Sequence, residues 1–415
     1  MNGTRRDFLA QAVTGVMSWR GLRAGMLAEN VGADHAALQQ RAARLIQAYD
    51  GQGIHRTGTP GDMKSAAWLA AQVKACGVRA ALEPFTLDRV DPLLCQLECG
   101  GRRIDGLPIF DAAFTDAQGV RGRPGTFGSE AEIGLIELPP NADYSPDYEA
   151  QRRASMHRAL VFVTKGTRPG LSPINAPKFR KPYGAPILQI SSEHGDWLKR
   201  QAQAGAAATL IAHVKRTRTQ ALNVTATIKG ANAQLAPLVV MTPRSGWWQC
   251  ASERGGGLVC WLEVMRALAG NRPARDVHFI ASSGHELGHL GLDAFLERRP
   301  QLIKEAHAWI HFGANIGAAQ EHTNRLQASS DELENLAVSA LAQVGLQAHH
   351  KLKRGAAPLG EAGNIHRGGG RYISLLGTNA LFHHPDDRWP QAVDAALVAR
   401  YASAFTTVAA KLAGD

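Results

Sequence analysis

The chain has 415 residues, 45% of them apolar and 20% charged, a balance that supports a buried core and excludes a wholly disordered polymer. Its formal charge of +10 is scattered, with only KFRK at 178–181 and KLKR at 351–354 as short basic clusters and no nucleic-acid-binding motif beside them, so the basic residues read as a solvated surface. Five cysteines, at 76, 95, 99, 250 and 260, lack paired metal-ligand spacing and leave one odd if the rest are bridged, so they do not define a disulfide framework.

Residues 1–30 carry paired Arg5 and Arg6, then Phe8, Leu9 and an apolar run to Trp19, which reads as a twin-arginine signal and places the protein in the periplasm or otherwise exported. No later stretch approaches the roughly 20 apolar residues that span a bilayer. From residue 35, HAALQQRAARLIQAY and GDMKSAAWLAAQVKACG have apolar residues at three- and four-residue steps and predict helices, and VRAALEPFTL predicts a strand. Residues 95–235 differ in texture: short apolar runs such as EIGLIEL, ALVFVTKG and APILQIS between glycines and prolines predict a β-rich insert. After it, APLVVMT, GGGLVCWLEVMRALAG, DVHFIASS, LGLDAFLERR, AWIHFGA and DELENLAVSALAQVG alternate as strands and helices. The expected architecture is α/β: a mixed, mostly parallel sheet between helices, built from residues 35–94 and 236–415.

In such a sheet, chemistry gathers on the loops beyond the carboxyl ends of strands. Four of these loops carry candidates: Glu253 ahead of a helix, His285 and Glu286 after VHFIASSG, the small-residue turn after AWIHF, and His383 and His384 ahead of Asp387. Glu253, Glu286 and His383 are suitable ligand types for one catalytic zinc, which keeps an open position for water, and His285 could take a proton from that water. His285-Glu-Leu-Gly-His289 also fits H-E-x-x-H, which needs both histidines on one face of a sound helix. Gly284, Gly288 and Gly291 crowd that turn, and it follows directly on an apolar strand, so a strand-to-helix loop is the better expectation. His278 and His311 lie on apolar strands and read as core histidines, and Trp247 and Trp248 as cover for the sheet edge.

Laid end to end, these segments resemble the zinc aminopeptidase family that also contains glutamate carboxypeptidase II, the transferrin receptor and the glutaminyl cyclases. HELGHLGL resembles its E-E-x-G-L-x-G-S box, CASERGGG its G-A-x-D-N-x-S-G box and FHHPDD its Y-H-x-x-x-D box, while residues 95–235 resemble its protease-associated insert. The resemblance places His285 on the catalytic glutamate, Glu286 on a ligand glutamate, Glu253 on the bridging aspartate and His383 on the last ligand. It also exposes departures. The family's H-x-D falls on Arg244 and Gly246, and a further aspartate ligand falls on Gly313 or His311. An arginine cannot ligate a metal, so the expectation is one zinc ion or none, with Arg244 free to bind a substrate carboxylate. His285 could serve as base or become a fourth ligand. Three activities follow: a hydrolase of a peptide or other small amide, an inactive relative that binds a partner, or a glutaminyl-cyclase-like acyltransferase. Oligomeric state and substrate identity do not follow from the sequence.

Overall fold

The computed structural model describes residues 35–414, so the expected export signal lies outside the described residues. Helix α1 covers residues 35–50. Helix α2 (Pro60–Ala75) starts with a proline at its first position, where no N–H is needed, and Thr59 accepts a hydrogen bond from the Asp62 N–H. Strands β1 (Ala80–Cys99), β2 (Arg102–Asp105), β3 (Leu107–Pro108), β4 (Val120–Gly122), β5 (Pro124–Thr126) and β6 (Ile133–Leu138) follow. Next come α3 (Tyr148–Ala154), β7 (Ala159–Thr164), β8 (Ile187–Ser191), α4 (Gly195–Gln203) and β9 (Ala208–Ile228).

The second half alternates: β10 (Leu238–Pro243), α5 (Ala251–Gly270), β11 (Val277–Ser282), α6 (Leu290–Glu297), α7 (Leu302–Glu305), β12 (Ala308–Phe312), β13 (Asn324–Ala328), α8 (Asp331–Gln343), β14 (His350–Lys351), α9 (Ala362–Arg367), β15 (Tyr372–Gly377) and α10 (Ala395–Gly414). The main sheet runs β14-β13-β15-β12-β10-β11-β9-β1-β2, with β4 also paired to β9. Its centre is parallel, since β10 pairs in that sense with both β11 and β12, and β12 with β15; β13 on one side and β9 on the other join it antiparallel, and β14 pairs parallel with β13 at the edge. Every residue of β10 is buried, as expected of a central strand covered on both faces.

Five strands form a second sheet, β3-β8-β7-β6-β5, between Leu107 and Ser191. The expected β-rich segment is therefore present, but its edges differ from 95 and 235. Strands β1 and β9 pair along their length, from Ala80 with Ala226 to Cys99 with Ala208, and β9 continues onto β11 of the main sheet. Position 95 falls inside β1 because a long alternating strand shows no break in pattern where it leaves one layer for another.

Helix α5 is buried on nearly all sides, so its apolar residues show little helical periodicity. It packs against the sheet through a run of three glycines. A Cβ at Gly256 would collide with the Ile316 carbonyl oxygen, and one at Gly257 would lie 2.8 Å from Thr242 Oγ1. That close approach brings the first turn of α5, with Glu253 and Arg254, under the loops at the carboxyl ends of β10, β11 and β15.

Candidate functional site

Beyond the end of β11 the backbone turns sharply. Gly284 and Gly288 have φ of 89° and 81°, His285 to Leu287 form one 3-10 turn, and His289 itself has φ 65° at the start of α6. Residues 285–289 are thus not a continuous helix, and the H-E-x-x-H geometry is excluded by two left-handed residues in five. The His285 and His289 rings still approach to 4.9 Å, while His289 Nδ1 bonds Asn364 Oδ1 at 2.9 Å.

His285 lines a cavity of about 670 Å³ between the two sheets' loops, walled on one side by residues such as Asn141, Tyr144 and Lys165 and on the other by Asn315, Arg325 and Phe382. Its Nδ1 lies 3.6 Å from Glu361 Oε1, which accepts a 2.7 Å hydrogen bond from Ser282 Oγ. Burial, then the Arg254 and His289 charges, hold the His285 pKa well below the usual histidine value, so the ring is neutral at physiological pH. Glu361 precedes α9 and belongs to no motif, so it was not among the expected site residues.

The other expected residues divide into two groups. Glu253 and His383 meet: His383 Nε2 is 3.5 Å from Glu253 Oε1, and His383 Nδ1 is held by the Pro173 carbonyl at 2.7 Å. Glu286 is engaged elsewhere. Its Oε1 accepts from the Thr57 N–H (2.9 Å) and Oγ1 (2.6 Å), and its Oε2 from Ser245 Oγ (2.7 Å). Asp387 caps α5, accepting from the Ser252 and Glu253 N–H groups at 2.8 and 2.9 Å, and burial pushes its pKa up to about 7 despite those bonds.

Arg244 corrects an expectation. Its side chain has no exposed surface; Nη1 donates to Asp62 Oδ1 (2.8 Å) and to the Asp62 carbonyl (2.9 Å), and Nη2 to the Leu222 carbonyl. It holds α2 against the sheet and does not reach the cavity, because a guanidinium one residue past the buried β10 is drawn to the nearest buried carboxylate. Trp247 donates to Asn175 at 3.0 Å and Trp248 to the His383 carbonyl at 2.9 Å, so both brace the loops. His311 is a core histidine bonded to Ser374 Oγ at 2.8 Å, and burial lowers its pKa to about 3. The half-buried His278 meets Thr227 Oγ1 at 3.0 Å.

The residue that sequence reading missed is Arg254. Fully buried, it donates from Nε to the Ser245 carbonyl at 2.6 Å and sets Nη2 2.7 Å from Glu253 Oε1. The contact is an ion pair without hydrogen-bond alignment, since both Nη atoms and both Glu253 oxygens lack a well-directed partner. Burial alone would raise the Glu253 pKa, but Arg254 and then His383 overcome it and hold it at about 2. The signal was in plain view: Arg254 stands at the asparagine of the box that CASERGGG resembles.

The profile of Peptidase family M28 matches residues 223–408. Aminopeptidase YwaD of Bacillus subtilis (strain 168) is 24% identical over 264 residues, which are 61% of this chain and 56% of that protein, so the chain spans little more than half of the curated relative it matches. Among solved structures, a zinc aminopeptidase from Bacillus subtilis superposes with TM-score 0.72 at 18% identity, covering 92% of this chain and 95% of that one. A Peptidase M28 precursor from Shewanella amazonensis SB2B gives 0.73 at 15% identity over 92% and 96%. The chain is a relative of the zinc aminopeptidases. At these identities the structural likenesses establish the fold, a zinc-exopeptidase sheet with its flanking helices.

Family kinship therefore points to zinc, and the donor set can be tested against it. A zinc centre needs three protein donors converging on one point, free of competing cations. Here Glu286 is saturated by three protein donors, and Arg254 sits against Glu253. At Gly313, one of the two places where the resemblance puts a further aspartate, even a Cβ would lie 2.7 Å from Leu376 Cγ. Among the described residues no group of three or more His, Cys, Asp and Glu side chains is disposed to hold a metal ion. The residues as arranged do not fit the relatives' zinc.

Proposed function

We propose that this chain is a hydrolase of peptides or other small amides in which His285 is the general base. The observation that carries this reading is the placement of His285: it stands where the resemblance puts the family's catalytic glutamate, faces the cavity, and is backed by the Glu361 carboxylate at 3.6 Å. A neutral imidazole is ready to accept a proton. As water attacks the amide carbonyl carbon, His285 Nε2 takes one of its protons; when the C–N bond breaks, the imidazolium returns that proton to the departing amine. Glu361, 3.6 Å behind the ring and not hydrogen-bonded to it, stabilises its protonated form, as a carboxylate behind a catalytic histidine does elsewhere. No step is assigned to a metal. Membership among peptidases supports the reaction class, and the export signal read at Arg5 and Arg6 would place this activity outside the cytoplasm.

A second reading, a binding protein without turnover, is favoured by one observation: the Arg254–Glu253 ion pair closes the region where the relatives would be expected to hold their metal. Amine release from a panel of aminoacyl and peptidyl anilides and of short peptides with a free carboxyl terminus separates the two. Turnover that persists in excess chelator and falls at least 100-fold in His285→Ala supports the hydrolase. Absence of turnover with every substrate, with and without added zinc, leaves only the binding reading.

A further inference from the structure

The cavity beside His285 has an unusual charge for a relative of enzymes named for removing amino-terminal residues. Two cations line it, Lys165 and Arg325, and no aspartate or glutamate does. Of the carboxylates behind its walls, Glu253 faces Arg254, Glu286 is bonded by Thr57 and Ser245, and Glu361 by Ser282 through one oxygen. An ammonium group entering the cavity would meet no carboxylate on its lining, whereas an anion would meet two cations.

Arg325 is the better placed of the pair. It lies on β13 directly across from Leu376 of β15, and residues so opposed project side chains on the same face, about 5 Å apart at Cβ. Leu376 itself lines the cavity and reaches the backbone at Gly313 and Gly360 beside His311. Among the described residues the Arg325 guanidinium has no hydrogen-bond or ion-pair partner, and Arg325 is half-buried. Lys165, just past β7 on the opposite wall, is only loosely held, with Nζ 4.0 Å from Glu137 Oε2. A planar guanidinium with its donors free suits a carboxylate, which it can grip through two parallel N–H groups.

We propose that the cavity takes a carboxylate-bearing ligand, with Arg325 as its anchor and Lys165 as a second, mobile cation. In terms of the hydrolase reading, on which the location of the site rests, the substrate would be an amide whose far end carries a carboxylate, such as the carboxyl-terminal end of a short peptide. Arg325 is a specificity-determining residue in this account and takes no part in proton transfer.

Binding is measured by calorimetry on the full chain with three matched probes: N-acetyl-dialanine, N-acetyl-dialanine amide and dialanine amide, which are anionic, neutral and cationic. The anionic probe is expected to bind, its affinity to fall with added salt, and Arg325→Gln to weaken it roughly ten- to hundred-fold, the scale of a hydrogen bond to a charged group. Arg325→Lys should retain part of that affinity, and unchanged thermal melting of both variants excludes misfolding as the cause. Equal binding of the acid and the amide, preference for the cationic probe, no binding of any probe, or no effect of Arg325→Gln would each overturn the proposal. Because binding is read separately from amine release, selective binding without turnover would sink the hydrolase reading and leave this one standing.

Discussion

Arg254 Nη2 lies 2.7 Å from Glu253 Oε1, with both side chains sealed from solvent. A buried carboxylate needs a countercharge, and here an arginine on the next residue supplies it. Two consequences follow for Arg254→Asn. Removing one member of a buried pair should cost on the order of 3–5 kcal/mol of stability. It also leaves Glu253 and His383 without a competing cation, so added zinc should raise the variant's melting temperature while leaving that of the parent protein unchanged. Metal analysis of the parent, prepared with zinc in excess, should find far less than one ion per chain. About one tightly held zinc in the parent would show that the ion pair opens readily and that the donor set is better than its resting arrangement.

Glu361 is expected to act only through His285. In Glu361→Gln the ring keeps its position beside the cavity but loses the carboxylate at 3.6 Å that favours the imidazolium. Turnover should fall roughly 10-fold or more, because a positioned general base contributes about 10²–10⁴-fold in all. The acid limb of the kcat/KM profile should move to lower pH, because the protonated ring has lost a stabilising charge. A change in KM alone, with the profile unmoved, would assign Glu361 to substrate binding.

How much of this was legible in the sequence depends on whether the cause is local. The alternation after residue 236 is a local pattern, and the sheet centred on β10 follows it. The turn at 284–289 was readable as well, since three glycines crowd a short stretch that follows directly on an apolar strand. Ligand assignment depended on where side chains point, which spacing does not encode. Glu286 matches its box in sequence, yet Thr57, more than 200 positions away, holds its carboxylate. Arg244 looked available because it stands where the family carries a metal-binding histidine, whereas its partner Asp62 comes from α2. Glu361 belongs to no motif and matters only because β11 and the segment before α9 end side by side.

The Asp62–Arg244 pair makes a separable prediction. Asp62→Ala should destabilise the chain by about 3–5 kcal/mol in urea unfolding, because it strands a guanidinium with no exposed surface. Replacing both residues with apolar ones of similar volume should recover much of that loss, the usual result when a buried pair is removed whole. Neither change alters the charge of the cavity. If Arg244→Ala weakened ligand binding while stability stayed the same, Arg244 would have to be restored to the substrate-binding role first expected of it.

His55 links stability to pH. It stacks on Tyr49 at 3.8 Å with its rings nearly parallel, and its Nδ1 meets the Gln249 carbonyl at 3.0 Å. Burial, more than the Arg244 charge, lowers its pKa from 6.5 to about 3. Between those values the unfolded chain carries a proton that the folded chain does not, so stability declines as pH falls, by up to about 1.4 kcal/mol per pH unit from this residue. Above pH 6.5 both states are neutral and the effect vanishes. His55→Phe keeps the stack but loses the hydrogen bond, so it should be about 1 kcal/mol less stable at pH 8. Its stability should then fall less steeply on acidification, so the two curves should cross near pH 6 and leave the variant the more stable by about 2 kcal/mol at pH 4, since all other titrating groups are common to both proteins. Parallel curves in chemical denaturation across that range would mean that His55 is protonated in the folded state, and that water reaches the ring.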